Sequence, residues 1–367
     1  MLILNNDEIE SLLSVELSLR HLEKAYKEWA EGKAINRPRT DLYLPSTPAS
    51  GVYVFKSMEA GLLDPPVAAL RLNSDVIHWE EKEGRTIKEK IPKAPGGKWV
   101  GLILLFSAET GEPLAIFPDG VIQRTRVAGT SALAARYMAR EDAQVLGIFG
   151  SGWQAGAHVP AMCAVRNIKK IKVYSPTQAN REAFAEEMEK KVRVYVEAVD
   201  RPEEVAAGAD ILVAATNAIT RVISPEWVRQ GMHFTCVKDC ELGEETIRKA
   251  DRLAIHIRKF APENYIAGLG DEKVEAHDPL EFLKKRVGGP PPSRPNAPFW
   301  VASPELKDLV AGKIPGRSSA DEITCFINNI GIGLQFAALG GAIYAEAKTK
   351  GVGREIPTDW FLESVHP

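Results

Sequence analysis

Cysteine, long apolar stretches and a charge of one sign are all scarce in this chain of 367 residues. Its four cysteines include no C-x-x-C pair and are too few for a disulfide scaffold. No stretch reaches the roughly 18 uninterrupted apolar residues of a membrane span. A net charge of −3 argues against non-specific nucleic-acid binding, and the N-terminus lacks the basic region of a signal peptide. We therefore expect a reduced, soluble, cytoplasmic protein with neither nucleic acid nor membrane as a partner.

The rest of the composition is that of an ordinary globular protein, with 45% hydrophobic and 26% charged residues. At roughly 100–200 residues per domain, the length predicts about two domains. Residues 7–31 carry apolar side chains near a 3.6-residue period, which predicts one amphipathic helix. Short apolar runs separated by turn residues then predict a mostly β region up to about residue 125. Beyond it, strands alternating with helices predict βαβ units and a parallel sheet.

Two segments depart from these regular patterns. Residues 78–97 are charged and then rich in proline and glycine, and residues 288–298 are rich in proline, which removes backbone donors. We expect both to be surface loops, with a lid over a binding site as the alternative for each.

The most informative motif is a G-x-G-x-x-A sequence between a predicted strand at 144–149 and a predicted helix at 154–165. Its glycines permit a tight turn and close approach to a pyrophosphate, which the free N–H groups of the helix N-terminus then bind. A βαβαβ pattern follows, and this context favours a dinucleotide site over a structural glycine turn. The motif comprises Gly150, Ser151, Gly152, Trp153, Gln154 and Ala155.

The end of the next predicted strand bears on the choice of cofactor. An acidic residue there would bind the ribose 2′-hydroxyl of NAD, but this chain has Ser175 and Thr177 and no carboxylate. Both hydroxyls are suited to a 2′-phosphate, and Arg181 is close enough in sequence to help. Alternatively, Arg181 is a solvated residue in the first turn of a helix. The sequence therefore predicts NADP, with NAD as the alternative.

Two further segments should lie at the carboxyl edge of the parallel sheet, where such sheets bind ligands. Thr216 and Asn217 follow a predicted buried strand, and they either lie near the nicotinamide or act as ordinary cap residues. Asp239 follows the predicted strand 232–237 and is the candidate general acid or base, with a helix N-cap as the alternative role.

Basic residues form a second group of candidates. Arg71 lies inside an apolar run, where an unpaired guanidinium is costly, and Arg126 begins a helix of small residues. Because arginine binds carboxylates through two parallel hydrogen bonds, these residues predict a carboxylate substrate. Internal salt bridges are the alternative for each. The group comprises Arg37, Arg39, Lys56, Arg71, Arg124 and Arg126.

A metal site is not predicted. His233, Cys236 and Cys240 have a spacing that fits no common zinc site, and the first two lie on a predicted core strand. Neither a G-x-S-x-G nucleophile motif nor a P-loop pattern occurs in the sequence.

Together these segments resemble the ornithine cyclodeaminase/μ-crystallin family. The resemblance covers nearly the whole chain and rests on RTRVAGTSALAARYMA (124–139), GIFGSGWQA (147–155), GADILVAATN (208–217) and MHFTCVKDCEL (232–242). It implies an α/β protein in which a Rossmann-like nucleotide domain, residues 125–317, is inserted into a discontinuous α+β domain for substrate binding and dimerisation. Residues 1–124 and 318–367 would form that second domain. The resemblance also implies a homodimer built through the N-terminal sheet.

The same resemblance implies roles for individual residues. It places the family's carboxylate-binding arginine on Arg126, a second basic residue on Arg71, and an early pocket arginine on Arg39, with Arg37 as the alternative. The catalytic aspartate of ornithine cyclodeaminase falls on Asp239. Known members convert amino acids, imines or keto acids with a bound nicotinamide cofactor.

The chain departs from ornithine cyclodeaminase at three places. Lys56 stands where that enzyme has a pocket glutamate, ELGEE follows the aspartate where it has a lysine, and Gln335-Phe336 replaces a common acidic pair. A cationic substrate side chain would lose acidic partners and meet Lys56, so we expect a neutral or acidic one.

The predicted function is a nicotinamide-dependent oxidoreductase acting on the Cα–N bond of a small amino or imino acid. Two alternatives follow from the same family. One is a redox-neutral cyclodeaminase of the ammonia-lyase type with tightly bound NAD. The other is a non-catalytic, μ-crystallin-like protein that binds NADP and a ligand.

Overall fold

The structure is a computed structural model that describes residues 1–46, 51–82, 85–258 and 298–365. All but the last residue of the segment 288–298, predicted as a loop or lid, lies outside these ranges. Within the described residues, no helix is long and apolar enough to cross a membrane.

The first unit is built on a mostly antiparallel sheet of nine described strands. Along the sheet the order is β16-β1-β8-β7-β5-β4-β2, while β3 pairs with β4 and β6 pairs with β5. Only the short pairing of β1 with β8 is parallel. The strands are β1 (Leu2–Ile3), β2 (Ala34–Asn36), β3 (Thr40–Ser46), β4 (Gly51–Leu63), β5 (Pro66–Lys82), β6 (Arg85–Ile91), β7 (Val100–Ser107), β8 (Pro113–Pro118) and β16 (Arg354–Glu355).

The second unit is an all-parallel sheet with seven strands among the described residues. The order β11-β10-β9-β12-β13-β15-β14 reverses direction between β9 and β12, which is the switch point where open α/β sheets bind ligands. Its strands are β9 (Val145–Phe149), β10 (Lys170–Tyr174), β11 (Tyr195–Ala198), β12 (Ile211–Ala214), β13 (His233–Cys236), β14 (Arg252–Ile255) and β15 (Thr324–Ile327). This is the Rossmann-like sheet that the sequence predicts.

Helices pack against both sheets. The α-helices are α1 (Asn6–Leu12), α2 (Val15–Ala30), α3 (Gly120–Met138), α4 (Trp153–Val165), α5 (Gln178–Val192), α6 (Pro202–Ala206), α7 (Gly243–Ile247), α8 (Leu306–Val310) and α9 (Gly333–Lys350). Helix α9 packs against β4, β5 and α2, and α3 packs against both α2 and α4, so α3 joins the two units. Short 3-10 turns lie at Pro225–Trp227, Asp239–Glu241, Phe299–Ala302 and Thr358–Phe361.

The N-terminal segment differs from the prediction of one helix over residues 7–31. It forms α1 and α2, separated at Leu13 and Ser14. The Ser14 side chain accepts a hydrogen bond from the Leu17 N–H at 3.1 Å. A serine N-cap satisfies a free N–H of the new helix, so it begins a helix where the apolar period alone suggests continuity.

The segment 78–97 also differs from prediction. Its first part is not a loop, because β5 continues to Lys82 and pairs with β6 up to Ile91 in an antiparallel arm. Only the stretch from residue 92 onward is turn and irregular chain. Strand pairing in an antiparallel arm does not require the continuous apolar run by which a buried strand is recognised.

The parallel sheet extends past residue 317, where the sequence places the end of the nucleotide domain. Strand β15 lies beyond that boundary and pairs with both β13 and β14. The chain therefore adds a strand to the parallel sheet after residue 317, before α9 packs on β4 and β5 of the first unit.

Candidate functional site

Five loops meet at the carboxyl edge of the parallel sheet. Strand register places Ala214 beside Phe149 and Cys236 beside Ile327, so the loops after these strands begin at the same level. The Asn328 N–H donates to the Cys236 carbonyl at 3.3 Å, which continues the alignment beyond the last strand pair. The strand ends thus bring five segments to one region of the molecule. These are the glycine loop after β9, the β10–α5 loop, Thr216 after β12, Asp239 after β13, and the segment that leads from β15 into α9.

The glycine loop joins β9 to α4 at the switch point. Gly150 has φ +109°, and a Cβ there would lie 2.4 Å from the carbonyl oxygen of Ala215. No other residue fits this turn without moving β12. Gly152 is the N-cap of α4, and a Cβ there would meet no atom within 4 Å. The N-terminus of a 13-residue helix therefore borders open space, which suits a pyrophosphate.

The remaining residues of the motif occupy different environments. Trp153 is 50% exposed, and the Arg124 guanidinium lies 5.9 Å from its ring centroid. Ala155 is fully buried under the loop. The Oε1 of Gln154 is buried and accepts no hydrogen bond from the described residues, so a polar atom remains available beside the loop.

The residues predicted to select the cofactor form one connected loop. Ser175 is buried and its Oγ lies 2.9 Å from the Oγ of Ser151, which ties this loop to the glycine loop. Thr177 is exposed at the N-cap of α5. Arg181 is buried rather than solvated, and its guanidinium contacts the Asp200 carboxylate at 2.5 Å and the Ser175 carbonyl at 3.3 Å.

Thr216 is held by a carboxylate that the sequence reasoning missed. Both its N–H and its hydroxyl donate to Oε1 of Glu241 at 2.7 Å. The other oxygen, Oε2, accepts from the N–H groups of Val237 and Lys238 at 3.1 and 3.0 Å. Glu241 thus fastens the loop after β12 to the loop after β13, while Asn217 is left exposed. Burial raises the pKa of Glu241, although the hydrogen bonds from Thr216 and Lys238 and the positive charge of Lys238 oppose that shift.

Asp239 lies three residues after the end of β13 and starts the 3-10 turn Asp239–Glu241. It is partly buried. It does not cap the following helix α7, whose N-cap is Leu242. Its place at the carboxyl edge is that of a group able to exchange a proton with a ligand lying over the sheet.

Arg71 lies on the inner face of β5 and is 4% exposed. Its Nε and Nη2 atoms lie 2.8 and 2.5 Å from Oδ2 of Asp119, the residue just before α3. Asp119 was not among the predicted residues, and only the fold brings it to a partner 48 positions away. The Arg71 charge is thus compensated within the protein.

Arg126 lies on α3, six residues after its first residue Gly120, and is 5% exposed. No carboxylate of the described residues lies within 4.0 Å of its guanidinium. Its Nη1 and Nε instead donate to the side-chain oxygens of Gln335 and Gln123 at 3.1 and 3.2 Å. Burial and the neighbouring positive charges of Arg71 and Arg39 lower the pKa of Arg126 to about 9.

Phe336 and Gly331 complete this arginine pair. The guanidinium carbons of Arg71 and Arg126 lie 5.3 and 5.5 Å from the centroid of the Phe336 ring. Both distances are within the range of cation–π interactions. A Cβ on Gly331 would lie 2.5 Å from Nη1 of Arg126, so a glycine is required for this close approach.

The remaining predicted basic residues lie on the neighbouring strands. Arg39 pairs with Asp41 at 2.8 Å. Its positive charge also contributes to the lowered pKa of Arg126. Arg37, the alternative, pairs with Glu59 at 2.7 Å. Lys56 is partly buried on β4, in register between Asp41 of β3 and Asn73 of β5.

Metal ligation finds no support in the part of the chain that the structure describes, where no group of three His, Cys, Asp or Glu side chains is placed to hold an ion. His233 and Cys236 lie fully buried within β13, and Cys240 lies in the turn after it.

The arrangement defines a class of protein: an enzyme with a dinucleotide loop at the switch point of a parallel sheet and a buried arginine pair beside it. A model of the ornithine cyclodeaminase/mu-crystallin family matches residues 1–351. The chain belongs to this family.

Individual relatives agree over nearly the full length. A Delta(1)-pyrroline-2-carboxylate reductase of Bacillus cereus is 27% identical over 364 residues, covering 97% of this chain and 99% of the relative. The solved structure of the Thermococcus litoralis Delta(1)-pyrroline-2-carboxylate reductase in complex with NADH and L-proline is 28% identical. Its TM-score is 0.75, with 97% of this chain and 100% of that one covered. An archaeal alanine dehydrogenase dimer with bound NAD is 25% identical with a TM-score of 0.72, covering 97% and 98% of the two chains.

These comparisons confirm the predicted family, the predicted fold class and the predicted class of activity. The protein is an enzyme of the nicotinamide-dependent oxidoreductase type.

Proposed function

We propose that this protein reduces the C=N bond of a small α-imino acid and oxidises the corresponding amino acid in the reverse direction. The observation that carries the proposal is the buried Arg126, which has no carboxylate partner among the described residues. The next residue, Val127, accepts a hydrogen bond from Asn328 just after β15, so Arg126 lies near the carboxyl edge that also carries the glycine loop. A substrate carboxylate would compensate the charge of Arg126.

Binding and orientation fall to the arginine pair. The substrate carboxylate would lie against Arg126, with Arg71 and Arg39 adding positive potential. A fixed carboxylate holds the adjacent imine carbon in one place, and such positioning is a major part of catalysis in two-reactant reactions. A nicotinamide nucleotide bound at the glycine loop supplies the hydride.

Asp239 is our candidate for the proton. Reduction of a C=N bond needs one hydride at carbon and one proton at nitrogen, so an acid must face the nitrogen. The site of Asp239 at the carboxyl edge, beside the loop that Glu241 holds, supports this role. Thr216 is bound to Glu241 through both its donors, which supports a role in shaping the cofactor pocket rather than in proton transfer.

The finer features of substrate and cofactor are also proposals. Lys56 on the inner face of β4 supports a substrate with a neutral or acidic side chain. The β10–α5 loop offers the exposed Thr177 and no carboxylate, which supports NADPH as the preferred cofactor. We further propose a homodimer, supported by the half-exposed apolar outer face of the first sheet.

The test is an assay of the purified protein with NADPH and NADH against Δ1-pyrroline-2-carboxylate, pyruvate plus methylamine, and L-ornithine. We expect cofactor oxidation with the first two. Release of ammonia from L-ornithine without net cofactor turnover would instead identify a cyclodeaminase, and no reaction with any of the three would reject the proposal.

The role of Asp239 is tested in the same assay. We expect Asp239→Asn to lower kcat by roughly 100-fold, the scale of one general acid, with a small change in KM. Asp142→Asn is the matched control because Asp142 is exposed and precedes β9, at the edge of the sheet opposite to the carboxyl edge. Equal activity of the two variants would remove Asp239 from the mechanism.

A further inference from the structure

A buried chain of hydrogen bonds runs from the end of β14 to Arg126. We propose that Tyr26 and Gln335, backed by His256, are positioning residues that fix the Arg126 guanidinium for a substrate carboxylate. This rests on the proposed function, since it assigns the carboxylate to Arg126. All three side chains are fully buried, and they come from three separate elements, α2, β14's end and α9.

The direction of each hydrogen bond follows from the chemistry of His256. Its Nδ1 lies 2.5 Å from the carbonyl oxygen of Ile330, which only accepts, so Nδ1 carries the proton. Burial lowers the pKa of His256 to about 3, and the ring is therefore neutral. Its Nε2 then has no hydrogen and accepts from the Tyr26 hydroxyl at 2.6 Å. The Tyr26 oxygen is left as an acceptor.

Gln335 can satisfy its surroundings in one orientation only. Its amide nitrogen donates to the Thr130 hydroxyl at 2.6 Å and to the Tyr26 oxygen at 3.2 Å. Its carbonyl oxygen accepts from Nη1 of Arg126 at 3.1 Å and from the Ile332 N–H at 3.2 Å. A flipped amide would face both of these donors with its own N–H groups. Tyr26 and Thr130 therefore determine that the oxygen points at Arg126.

Thr130 closes the chain at the backbone of Arg126. Its hydroxyl donates to the Arg126 carbonyl at 2.8 Å, one helix turn back. The guanidinium and the backbone of Arg126 are thus both tied to the Tyr26–Gln335 pair. Because glutamine is neutral, it orients the guanidinium and leaves its charge for a ligand, which a carboxylate at this position would not do.

The experiment compares two variants with one control. Tyr26→Phe and Gln335→Met remove hydrogen bonds while keeping the size of each side chain. The control Tyr137→Phe also removes a tyrosine hydroxyl between α2 and α3, where Tyr137 donates to Glu23 at 2.6 Å, but it does not contact the chain to Arg126. For each, KM is measured for Δ1-pyrroline-2-carboxylate and for NADPH, and folding is checked by thermal unfolding.

We expect both variants to raise KM for the carboxylate substrate by about 10-fold and to leave KM for NADPH within 2-fold of wild type. Tyr137→Phe should leave both values within 2-fold. A folded Tyr26→Phe and Gln335→Met that keep the substrate KM, or that raise both KM values alike, would overturn the positioning role.

Failure of the proposed function gives a different result, because wild type itself would then reduce none of the imino acids. In that case crystal structures of the two variants decide the positioning role alone. A displaced Arg126 guanidinium in both supports it, and an unmoved one overturns it.

Discussion

Arg71 and Arg126 lie over the same phenyl ring, yet their charges are balanced differently. Asp119 binds Arg71 directly, whereas the hydrogen bonds of the Arg126 guanidinium to the described residues go to two neutral amide oxygens. Burying an unpaired charge costs several kcal/mol in a protein interior, and an anion that enters the site recovers part of that cost. The pair therefore separates two tasks: Arg71 stabilises the fold at Asp119, and Arg126 provides the charge for binding.

This separation predicts the effect of Arg126→Met. Loss of a charge-assisted carboxylate contact of about 3 kcal/mol should lower kcat/KM for the imino acid by roughly 100-fold. The free energy of unfolding should change by less than about 1 kcal/mol, because relief of the desolvation cost offsets the lost hydrogen bonds to glutamine. Steady-state kinetics and urea unfolding measure the two quantities.

Arg136→Met is the control for that variant. Arg136 lies near the end of the same helix α3 and pairs with Glu23, which Lys27 and Tyr137 also bind, so its loss should change neither quantity appreciably. If Arg126→Met keeps more than a tenth of the wild-type kcat/KM, the carboxylate is bound elsewhere.

Single residues also mark the limit of what could be read from the sequence. Arg71 stood out because an apolar strand surrounds it, and Arg126 because it precedes a helix of small residues. Their partners Asp119 and Gln335 lie 48 and 209 positions away. Such contacts depend on how elements pack, which no local pattern encodes. Glu241 was missed for the same reason, since its role requires the loop after β12.

At the scale of elements, the sequence predicted best those helices, strands and loops whose bounds depend only on nearby residues. The β9–loop–α4 unit follows from glycine positions and two short patterns, and the structure has it within one residue of the predicted bounds. The division between α1 and α2 depended on a competing signal, the Ser14 cap. The β5–β6 arm depended on strand pairing, and its charged sequence hid it.

The β10–α5 loop carries a prediction about cofactor choice. A carboxylate in place of the exposed Thr177 would repel a 2′-phosphate and accept a hydrogen bond from a free 2′-hydroxyl. We expect Thr177→Asp to lower the ratio of kcat/KM for NADPH to that for NADH by at least about 10-fold, corresponding to about 1.4 kcal/mol. Initial-rate assays with each cofactor give this ratio.

An aspartate placed about one turn further along α5 is the control for Thr177→Asp. Asn180 is exposed on α5, and Asn180→Asp should change the ratio by less than 2-fold. A ratio that Thr177→Asp leaves unaltered would mean that the 2′ position of the cofactor does not face this loop.

For the molecule as a whole, three buried histidines predict instability in acid. Burial lowers the pKa of His158 to about 4 and those of His233 and His256 to about 3. In the unfolded chain all three titrate near 6.5, so between pH 6.5 and 4 the unfolded state binds more protons and stability falls as the pH falls. At pH 5 each buried histidine should lower the free energy of unfolding by about 2 kcal/mol relative to neutral pH.

His233→Gln tests this directly. The Nε2 atom of His233 is buried with no hydrogen-bond partner among the described residues, so replacing the ring removes a titrating group from the core of β13. Urea unfolding at pH 7 and pH 5 should show a smaller loss of stability for the variant than for wild type. His21→Gln, at a partly exposed position, should reduce the loss by less. An unchanged pH dependence in His233→Gln would show that acid lability arises elsewhere.

The outer face of the first sheet predicts how two chains associate. Strand alternation buries Ile103 against the helices and leaves Leu102, Leu42 and Leu44 on the opposite face, 39%, 49% and 49% exposed. Several exposed leucines on one face of a sheet are typical of an interaction surface. Because an isologous interface presents the same patch twice, one chain's sheet is a suitable partner for another's. We expect a dimer of about 80 kDa, twice the 40.2 kDa of the chain, in multi-angle light scattering.

The variant Leu102→Lys, which places a charge on this face, should separate the dimer. The interface between two variant chains would bury two lysines without acidic partners. We expect that variant to elute at the mass of one chain with an unchanged circular dichroism spectrum. Leu362→Lys introduces the same charge at a leucine that is 56% exposed beyond the last strand of the sheet, and it should remain dimeric. A dimeric Leu102→Lys, or a monomeric wild type at micromolar concentration, would exclude the sheet face as the interface. Separation by both leucine variants would instead place the C-terminal segment within it.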